Sequence, residues 1–280
     1  CRQQAGNTQA AVPQKDSAAI TLEYARGFSA RKQKSGYTIL EVQNPWPGAA
    51  TSFRYALVPR EFPEAKLPDP QDFDALIRVP VRRLVLTSTT HIPALETLQA
   101  EQALVGFPGL DYISSEKTRK RIERGEIAEL GANDQLNTER VMALQPELVV
   151  GFGVSEAPRA YQGILRAGIP VIYNGDWNET SPLGKAEWIK FFGLLLGKED
   201  LARETFKKVA TAYNTARQRA AGASERPRVL SGALYRDVWY MPGGESWAAA
   251  FIRDAGAEYL WAGTEETGSL SLGLEAVLEK

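Results

Sequence analysis

The chain contains one histidine, His91, and one cysteine, Cys1, so few catalytic or metal sites can be built from its side chains. A Ser-His-acid triad would have to use His91, and the nearest nucleophile elbow, "GESWA" at 244–248, lacks the final glycine of G-x-S-x-G. A zinc site of the usual kind needs several His or Cys ligands. No G-x-x-x-x-G-K-S/T loop is present, and "GFPGLDY" does not match G-x-G-x-x-G. We therefore predict neither an enzyme nor a protein-only metal site.

Amino-acid composition excludes further classes of function. The chain has 280 residues, of which 44% are hydrophobic and 24% are charged, and this is enough for one large core or two smaller ones. The formal net charge is −1 and no long Lys/Arg run occurs, so we expect no nucleic-acid partner. No apolar run reaches the roughly 18 residues of a membrane-spanning helix, so we expect a soluble body.

The N-terminal residues resemble those of a mature bacterial lipoprotein. Cys1 is followed by the polar, alanine-rich stretch "RQQAGNTQAAVPQKDSAA". We expect Cys1 to carry the lipid and residues 1–19 to form a tether, so that the membrane is contacted through the anchor only. The alternative is that the sequence begins at a cysteine by chance. With no second cysteine, an internal disulfide is excluded.

The elements that position any site begin with a β-rich N-terminal extension and linker at 20–81. The stretches "ITLEYARGF", "YTILEVQNPW" and "SFRYALVPR" alternate like strands and predict an antiparallel meander within 20–59. The Pro- and Asp-rich stretch that follows predicts a loop or linker. We place the main body after it.

From residue 82 the pattern changes to βα units, which predict a mainly parallel sheet in an N-terminal lobe at 82–180. Predicted strands are "RRLVLT", "ALVGF", "ELVVGF" and "PVIYN", and predicted helices lie near 92–100, 116–124, 138–145 and 156–167. A helical segment follows at 181–222. It contains an amphipathic helix from 198 to about 221, roughly 35 Å long, that can cross between lobes.

A second α/β lobe is predicted at 223–280. Its strand candidates are "RPRVLSGALY", "VWYMPG" and "AEYLW", and its helices lie at about 246–255 and in "LGLEAVLEK". This lobe looks incomplete, because no closing strand follows the last helix. The predicted fold class is thus α/β, with two lobes of mainly parallel sheet bridged by one long helix, plus the N-terminal meander.

Four stretches resemble the long-helix (class III) periplasmic binding proteins of ABC importers for ferric siderophores, haem and vitamin B12. They are "RRLVLTSTTHIPALETLQAEQALVGF", "LNTERVMALQPELVVGF", "LRAGIPVIYN" with the long helix after it, and "GGESWAAAFIRDAGAEYLW". The resemblance covers about residues 82–280. It implies a ligand cleft between the lobes, no cofactor and small hinge motions. In open α/β sheets, ligands bind at the carboxyl ends of the strands.

The predicted ligand-binding residues therefore follow the predicted strands. They are Thr89, Thr90, His91, Phe107, Tyr112 and Phe152 in the first lobe, and Tyr235, Arg236, Trp239, Tyr240 and Trp247 in the second. Aromatic faces suit a corrin, porphyrin or catecholate ring, and Arg236 suits a carboxylate or phosphate. Each aromatic residue has core packing as its alternative. Trp177, Trp188 and Trp261 are assigned to packing.

Three interpretations of His91 stay open: a polar residue at a helix start, a cleft residue that contacts ligand, and an axial ligand of a haem or corrin metal. Tyr112 or Tyr235 could also coordinate haem iron. The resemblance also implies one exposed glutamate per lobe that docks on Arg residues of the permease. The matching positions are Glu139 and Glu275, and two solvated surface glutamates are the alternative.

The leading hypothesis is a monomeric, periplasmic, lipid-anchored protein that captures an iron(III) chelate and delivers it to an ABC importer. Cobalamin or haem is the alternative cargo. A sensor that reuses the fold without a transporter is a further alternative. Which membrane holds the anchor stays open, because "RQQA" lacks the aspartate that often retains lipoproteins in an inner membrane.

Overall fold

The computed structural model describes residues 17–18, 20–133, 135–153 and 159–280. Cys1, with its predicted lipid, lies outside the described residues, as does most of the predicted tether. The described parts form an N-terminal sheet, a first α/β lobe, a helical segment and a second α/β lobe, which confirms the predicted fold class. None of the described helices combines the length and the apolar character needed to cross a bilayer.

The N-terminal sheet has five strands in sequential order. They are β1 (Ser17–Ala18), β2 (Phe28–Lys32), β3 (Thr38–Gln43), β4 (Ser52–Pro59) and β5 (Ala75–Val79). Strands β1 to β4 pair antiparallel, whereas β5 pairs parallel with β4. Two predictions are wrong here: residues 20–27 precede a strand instead of forming one, and the supposed linker contains β5. That strand forms because Ile77 is buried in the core.

The first lobe contains a five-stranded parallel sheet in the order β10-β9-β6-β7-β8. Its strands are β6 (Leu84–Leu86), β7 (Leu104–Phe107), β8 (Ala128–Glu129), β9 (Leu148–Gly151) and β10 (Val171–Tyr173). Its helices are α1 (Ile92–Thr97), α2 (Glu116–Glu123), α3 (Thr138–Leu144) and α4 (Arg159–Arg166). The four predicted strands are confirmed, and β8 was missed. Buried parallel strands read as continuous apolar runs, which made the others visible in the sequence.

One hydrophobic core joins the N-terminal sheet to the first lobe. Phe28, Leu40 and Tyr55 of the sheet belong to the same buried cluster as Leu84 and Leu148 of the lobe. In addition, the hydroxyl oxygen of Tyr55 accepts a hydrogen bond of 3.3 Å from the backbone N–H of Tyr173 in β10. The extension therefore folds together with the lobe.

The helical segment consists of α5 (Pro182–Glu187), α6 (Ile189–Leu196) and α7 (Glu199–Ala221). Helix α7 has 23 residues, as its apolar stripe predicted. It contacts both lobes: Ala202 belongs to the buried cluster that contains Leu84 and Leu148 of the first lobe, and the Tyr213 hydroxyl donates to Asp254 of the second lobe at 2.9 Å. The helix therefore bridges the lobes as expected.

The second lobe differs in its sheets from the mainly parallel arrangement predicted. It contains β11 (Arg228–Val229), β12 (Ala233–Tyr235), β13 (Val238–Pro242), β14 (Glu258–Tyr259) and β15 (Ser269–Gly273), with α8 (Trp247–Asp254) and α9 (Leu274–Leu278). Only β11 and β14 pair parallel, whereas β12, β13 and β15 are antiparallel. Two residues, Arg236 and Asp237, connect β12 to β13, and a connection this short permits only a hairpin.

Candidate functional site

The carboxyl edge of the first-lobe sheet carries two loops that face the helical segment. After β6, the Ser88 hydroxyl accepts a hydrogen bond of 3.3 Å from the Thr90 backbone N–H and so starts the turn that leads into α1. After β10, the Asn174 side-chain oxygen accepts a 2.9 Å bond from the Asp176 backbone N–H. These local side-chain bonds fix both loops at the edge where open α/β sheets bind ligands.

A pocket of about 410 Å³ lies between the first lobe, the helical segment and the second lobe. Its walls are mostly apolar, and they come from α1, α5, α6, α7 and α8, which contribute Pro93, Ala94, Pro182, Trp188, Ile189, Phe192, Val209, Trp247 and Phe251. Apolar walls with a few polar groups are typical of small-molecule sites. We call this cavity the larger interlobe pocket.

A second pocket of about 230 Å³ lies next to it and also joins the two lobes. Trp177 comes from the loop after β10, and Tyr240 and Trp247 come from the second lobe. We call this cavity the aromatic pocket. Because Trp247 lines both pockets, a ligand in either one contacts the same indole ring.

Lys185 connects the lobes at the larger interlobe pocket. Its Nζ lies 3.6 Å from a carboxylate oxygen of Asp176 and 5.1 Å from the centre of the Trp247 ring. The Lys185 side chain is only 23% exposed and that of Asp176 only 12% exposed, so solvent screens their attraction less than on an open surface. A cation over an indole face is attracted by the ring quadrupole. Lys185 thus holds the Trp247 ring against the first lobe.

His91 lies below the floor of the larger interlobe pocket and is 1% exposed. Its ring packs against Phe192 at 5.4 Å between centroids, and the Asn174 side chain is its polar neighbour, in a geometry too poor for a full hydrogen bond. Burial lowers the pKa of His91 to about 4, and the nearby negative charge of Asp176 only partly opposes this. The imidazole is therefore neutral near pH 7.

The structure brings together only part of the predicted site. Thr90 lines the larger interlobe pocket, Tyr240 lines the aromatic pocket, and Trp247 lines both. Thr89, Tyr112, Phe152, Tyr235, Arg236 and Trp239 line neither pocket, and His91 is buried. Phe107, the last residue of β7, belongs to the core at 1% exposure, because its side chain joins the buried cluster shared by the first lobe and the N-terminal sheet.

Tyr235 and Arg236 lie at an exposed hairpin tip. The Arg236 guanidinium stacks on the Tyr235 ring at 5.1 Å, and Tyr235 is 59% exposed. Arg236 has a φ of 50° and Asp237 a φ of 64°, the left-handed conformation that two-residue hairpin turns require. This conformation presents the stacked pair to solvent and away from both pockets.

Trp177 is the clearest site residue that sequence reasoning missed. It was assigned to packing, and it does pack against a buried cluster of the first lobe, but it also contributes the first-lobe wall of the aromatic pocket. Its indole Nε1 is buried and has no hydrogen-bond partner among the described residues. Its position shortly after the predicted strand "PVIYN" could have identified it as a site residue, since Thr90 was identified by its position after a predicted strand.

The two predicted docking glutamates are both exposed and lie in the first turns of their helices, Glu139 in α3 and Glu275 in α9. Neither forms an ion pair within the described parts of the chain. In these same parts, no group of three or more His, Cys, Asp or Glu side chains is arranged to hold a metal ion.

The chain is similar to known proteins in its sequence and in its fold. The model of the periplasmic binding protein family matches residues 84–280. An uncharacterized lipoprotein of Methanocaldococcus jannaschii is 23% identical over 214 residues, which are 73% of this chain and 51% of the relative. The chain spans about half the length of the curated relatives it matches.

Two solved structures share the fold. An ABC-type Fe³⁺-hydroxamate transport system from Saccharomonospora viridis is 21% identical with a TM-score of 0.56, over 71% of each chain. The periplasmic haem-binding protein of Vibrio cholerae is 17% identical with a TM-score of 0.56, over 71% of this chain and 73% of that chain. At these identities the likeness establishes the architecture alone.

Proposed function

Because the chain belongs to the periplasmic binding protein family, we propose that it is the substrate-binding component of an ABC importer. It captures an iron(III) chelate of the siderophore kind between its lobes and delivers this chelate to the permease. The protein supplies a binding surface and no catalytic step. It acts in the periplasm as a monomer attached to the membrane through Cys1. Relatives that are named as lipoproteins support the anchor.

The observation that carries this proposal is the pair of interlobe pockets that share Trp247. Trp177, Tyr240 and Trp247 offer flat apolar faces to a planar chelating group. Since the walls come from both lobes, a bound ligand fixes the lobes relative to each other. A permease can then distinguish the loaded protein from the empty one by that fixed geometry.

Cobalamin and haem are the alternative cargoes, and the structure argues against one form of haem binding. His91 is 1% exposed, so its imidazole reaches a haem iron only if the start of α1 moves. Tyr112, at 81% exposure, and Tyr235, at 59% exposure, are the accessible candidates for iron coordination among the residues predicted from sequence. Haem binding is therefore expected to depend on one of these tyrosines and to be independent of His91.

Quenching of tryptophan fluorescence tests the proposal directly, since three of the six tryptophans line the pockets. The protein is titrated separately with ferric siderophores, haemin and cyanocobalamin, with correction for absorbed light. We expect saturable binding of one ferric siderophore at micromolar concentration or tighter. If no chelate binds, the chelate function is wrong and a sensor on the same fold becomes the better explanation.

A pair of variants on one hairpin locates the ligand. Tyr240 lines the aromatic pocket and Tyr235 does not, although both are exposed aromatic residues on adjoining strands. We expect Tyr240→Ala to weaken chelate binding by about tenfold, the loss typical of a buried aromatic contact, and Tyr235→Ala to leave it unchanged. Equal losses in both variants would extend the site to the hairpin tip, as the sequence predicted.

Delivery is proposed to use Glu139 and Glu275 as docking residues for cationic side chains of the permease. Both carboxylates are exposed and unpaired within the described chain, so a partner need not break an existing ion pair. Such contacts orient the encounter and raise its rate more than they add affinity.

A further inference from the structure

Residues 20–27 connect β1 to β2 without belonging to either strand, yet hydrogen bonds to the helical segment and the loop before it hold this segment in place. The contacts come from two carboxylates of the helical segment and its preceding loop, Glu179 and Glu187. Glu187 is 0% exposed and Glu179 is 5% exposed. Buried carboxylates are costly unless they are paired or hydrogen bonded, so their partners are informative.

Glu187 binds the first half of the segment. Its Oε2 accepts hydrogen bonds from the backbone N–H groups of Tyr24 at 2.7 Å and Ala25 at 2.8 Å. The Lys190 ammonium donates to Glu187 at 2.6 Å and to the backbone carbonyl of Thr21 at 2.9 Å. Burial raises the pKa of Glu187, but the bonds from Lys190 and the backbone outweigh burial and hold the pKa below its ordinary value. The carboxylate is therefore charged and fully engaged.

Glu179 binds the second half and links it to the ligand site. Its Oε1 accepts from the backbone N–H groups of Arg26 and Gly27 and from the indole Nε1 of Trp188, each at 2.9 Å. Trp188 is part of the wall of the larger interlobe pocket. One oxygen thus holds both the N-terminal segment and a pocket residue.

Gly27 touches the same indole directly. A Cβ added at Gly27 would lie 2.8 Å from Cζ2 of Trp188, closer than real Cβ contacts allow. The φ of Gly27 is not in the left-handed region, so glycine is required by this close approach and not by the backbone conformation. Trp188 lies between the segment on one side and the pocket on the other.

We propose that residues 21–27, which lie outside the family-matched region 84–280, position the wall of the larger interlobe pocket, with Glu179 and Gly27 as positioning residues for ligand binding. This inference rests on the proposed function only in taking that pocket as a ligand site. The N-terminal extension is then part of the binding body and sets the shape of its pocket.

The test adds a methyl group at the contact. Gly27→Ala pushes Trp188 away from the segment and toward the pocket. The probe is 8-anilinonaphthalene-1-sulfonate, whose fused rings suit apolar walls. It is titrated into the full chain under conditions in which the protein is fully folded. We expect its affinity to fall by about tenfold, as overpacking of a close contact does, and the Trp188 indole ¹H–¹⁵N resonance to shift. Trp247→Leu alters the opposite wall and checks where the probe binds.

Two further variants keep the test decisive. Gly263→Ala is the matched control, because an added Cβ there meets nothing within 4 Å and the φ is not left-handed. It should change neither readout. Glu179→Gln removes the negative charge from the side chain that accepts hydrogen bonds from both the N-terminal segment and Trp188. This variant replaces Gly27→Ala in the test if Gly27→Ala does not fold. We expect it to move the Trp188 indole proton upfield, because a hydrogen bond to a charged acceptor is stronger than one to an amide.

Three results would overturn the inference. One is a Gly27→Ala or Glu179→Gln protein that is less stable to urea but keeps the wild-type probe affinity and indole resonance, since the segment would then only support the fold. Another is an equal loss of affinity in Gly263→Ala. The third is a wild-type protein that does not bind the probe. Failure of every chelate to bind contradicts the proposed function instead, and it leaves the probe results standing.

Discussion

His91 makes the stability of this protein depend on pH in a window that no other described group shares. Its pKa is about 4 in the folded chain, against 6.5 in the unfolded chain. At about pH 7.5 and above, both states carry a neutral imidazole. As the pH falls below 6.5, the unfolded state gains a proton that the folded state does not accept, so the free energy of unfolding decreases. The decrease levels off below the folded pKa.

The expected size follows from the two pKa values. Between about pH 7.5 and 5, the loss of free energy of unfolding is about 2 kcal/mol, which approaches about 3 kcal/mol near pH 4. Carboxylates whose pKa values are lowered, such as that of Glu187, begin to contribute only within about one pH unit of their ordinary value of 4.5. The upper part of the window therefore reports His91 alone, since the chain has one histidine.

Urea unfolding followed by tryptophan fluorescence measures this loss, with His91→Phe as the comparison. The variant replaces the buried imidazole by an apolar ring of similar shape beside Phe192, and it loses only the weak contact with the Asn174 side chain. We expect the pH slope between about 7.5 and 5.5 to disappear in the variant. A proton NMR titration of the single imidazole should give a midpoint near 4. A midpoint near 6.5, or an equal slope in both proteins, would refute the argument from burial.

Three other predictions concern charges and rings at particular places. Glu187→Gln should lower the free energy of unfolding by about 3 kcal/mol, because Lys190 is left as a buried charge without its carboxylate; a loss below about 1 kcal/mol in urea unfolding would show that the pair is hydrated. Glu139→Lys should reduce transport in cells while the affinity for the chelate stays unchanged, and an equal loss of affinity would place Glu139 in ligand binding instead of docking. Lys185→Met should weaken chelate binding, because the cation no longer holds the Trp247 ring, whereas the control Lys207→Met, on the exposed side of α7, should leave binding unchanged. Equal affinities of the two variants for the chelate would contradict the role of the cation–π contact.

The spacing of apolar residues predicted those strands and helices whose buried faces can be recognised from their own residues. The parallel strands read as apolar runs because both faces are buried, and α7 was visible because one stripe along it is apolar. Residues 20–27 show the limit of this reasoning. Their alternation is typical of a strand, yet their N–H groups bond to carboxylates more than 150 residues away in the chain. Long-range partners of this kind leave no local signal.

The site was predictable to the extent that strand ends define it. Thr90 was identified because it follows a predicted strand, and Trp247 because it lies close to strand-end residues, and both line the larger interlobe pocket. The side chains of α5 to α7 in that pocket were not predicted, because an apolar residue on a helix is read as core unless the neighbouring helix is known to leave a gap. Lys185 was missed for the related reason that its partners, Asp176 and Trp247, lie on separate elements.

Four glutamates of this chain form two physically different pairs, and the difference bears on function. Glu179 and Glu187 are buried, and their oxygens are occupied by backbone and side-chain donors, so removing either leaves donors without acceptors inside the protein. Glu139 and Glu275 are exposed at helix starts and unpaired within the described residues, so folding gains little from them. A change that lowers stability therefore points to the first class. A change that impairs transport in a fully stable protein points to the second class, and it identifies a surface whose partner lies outside this chain.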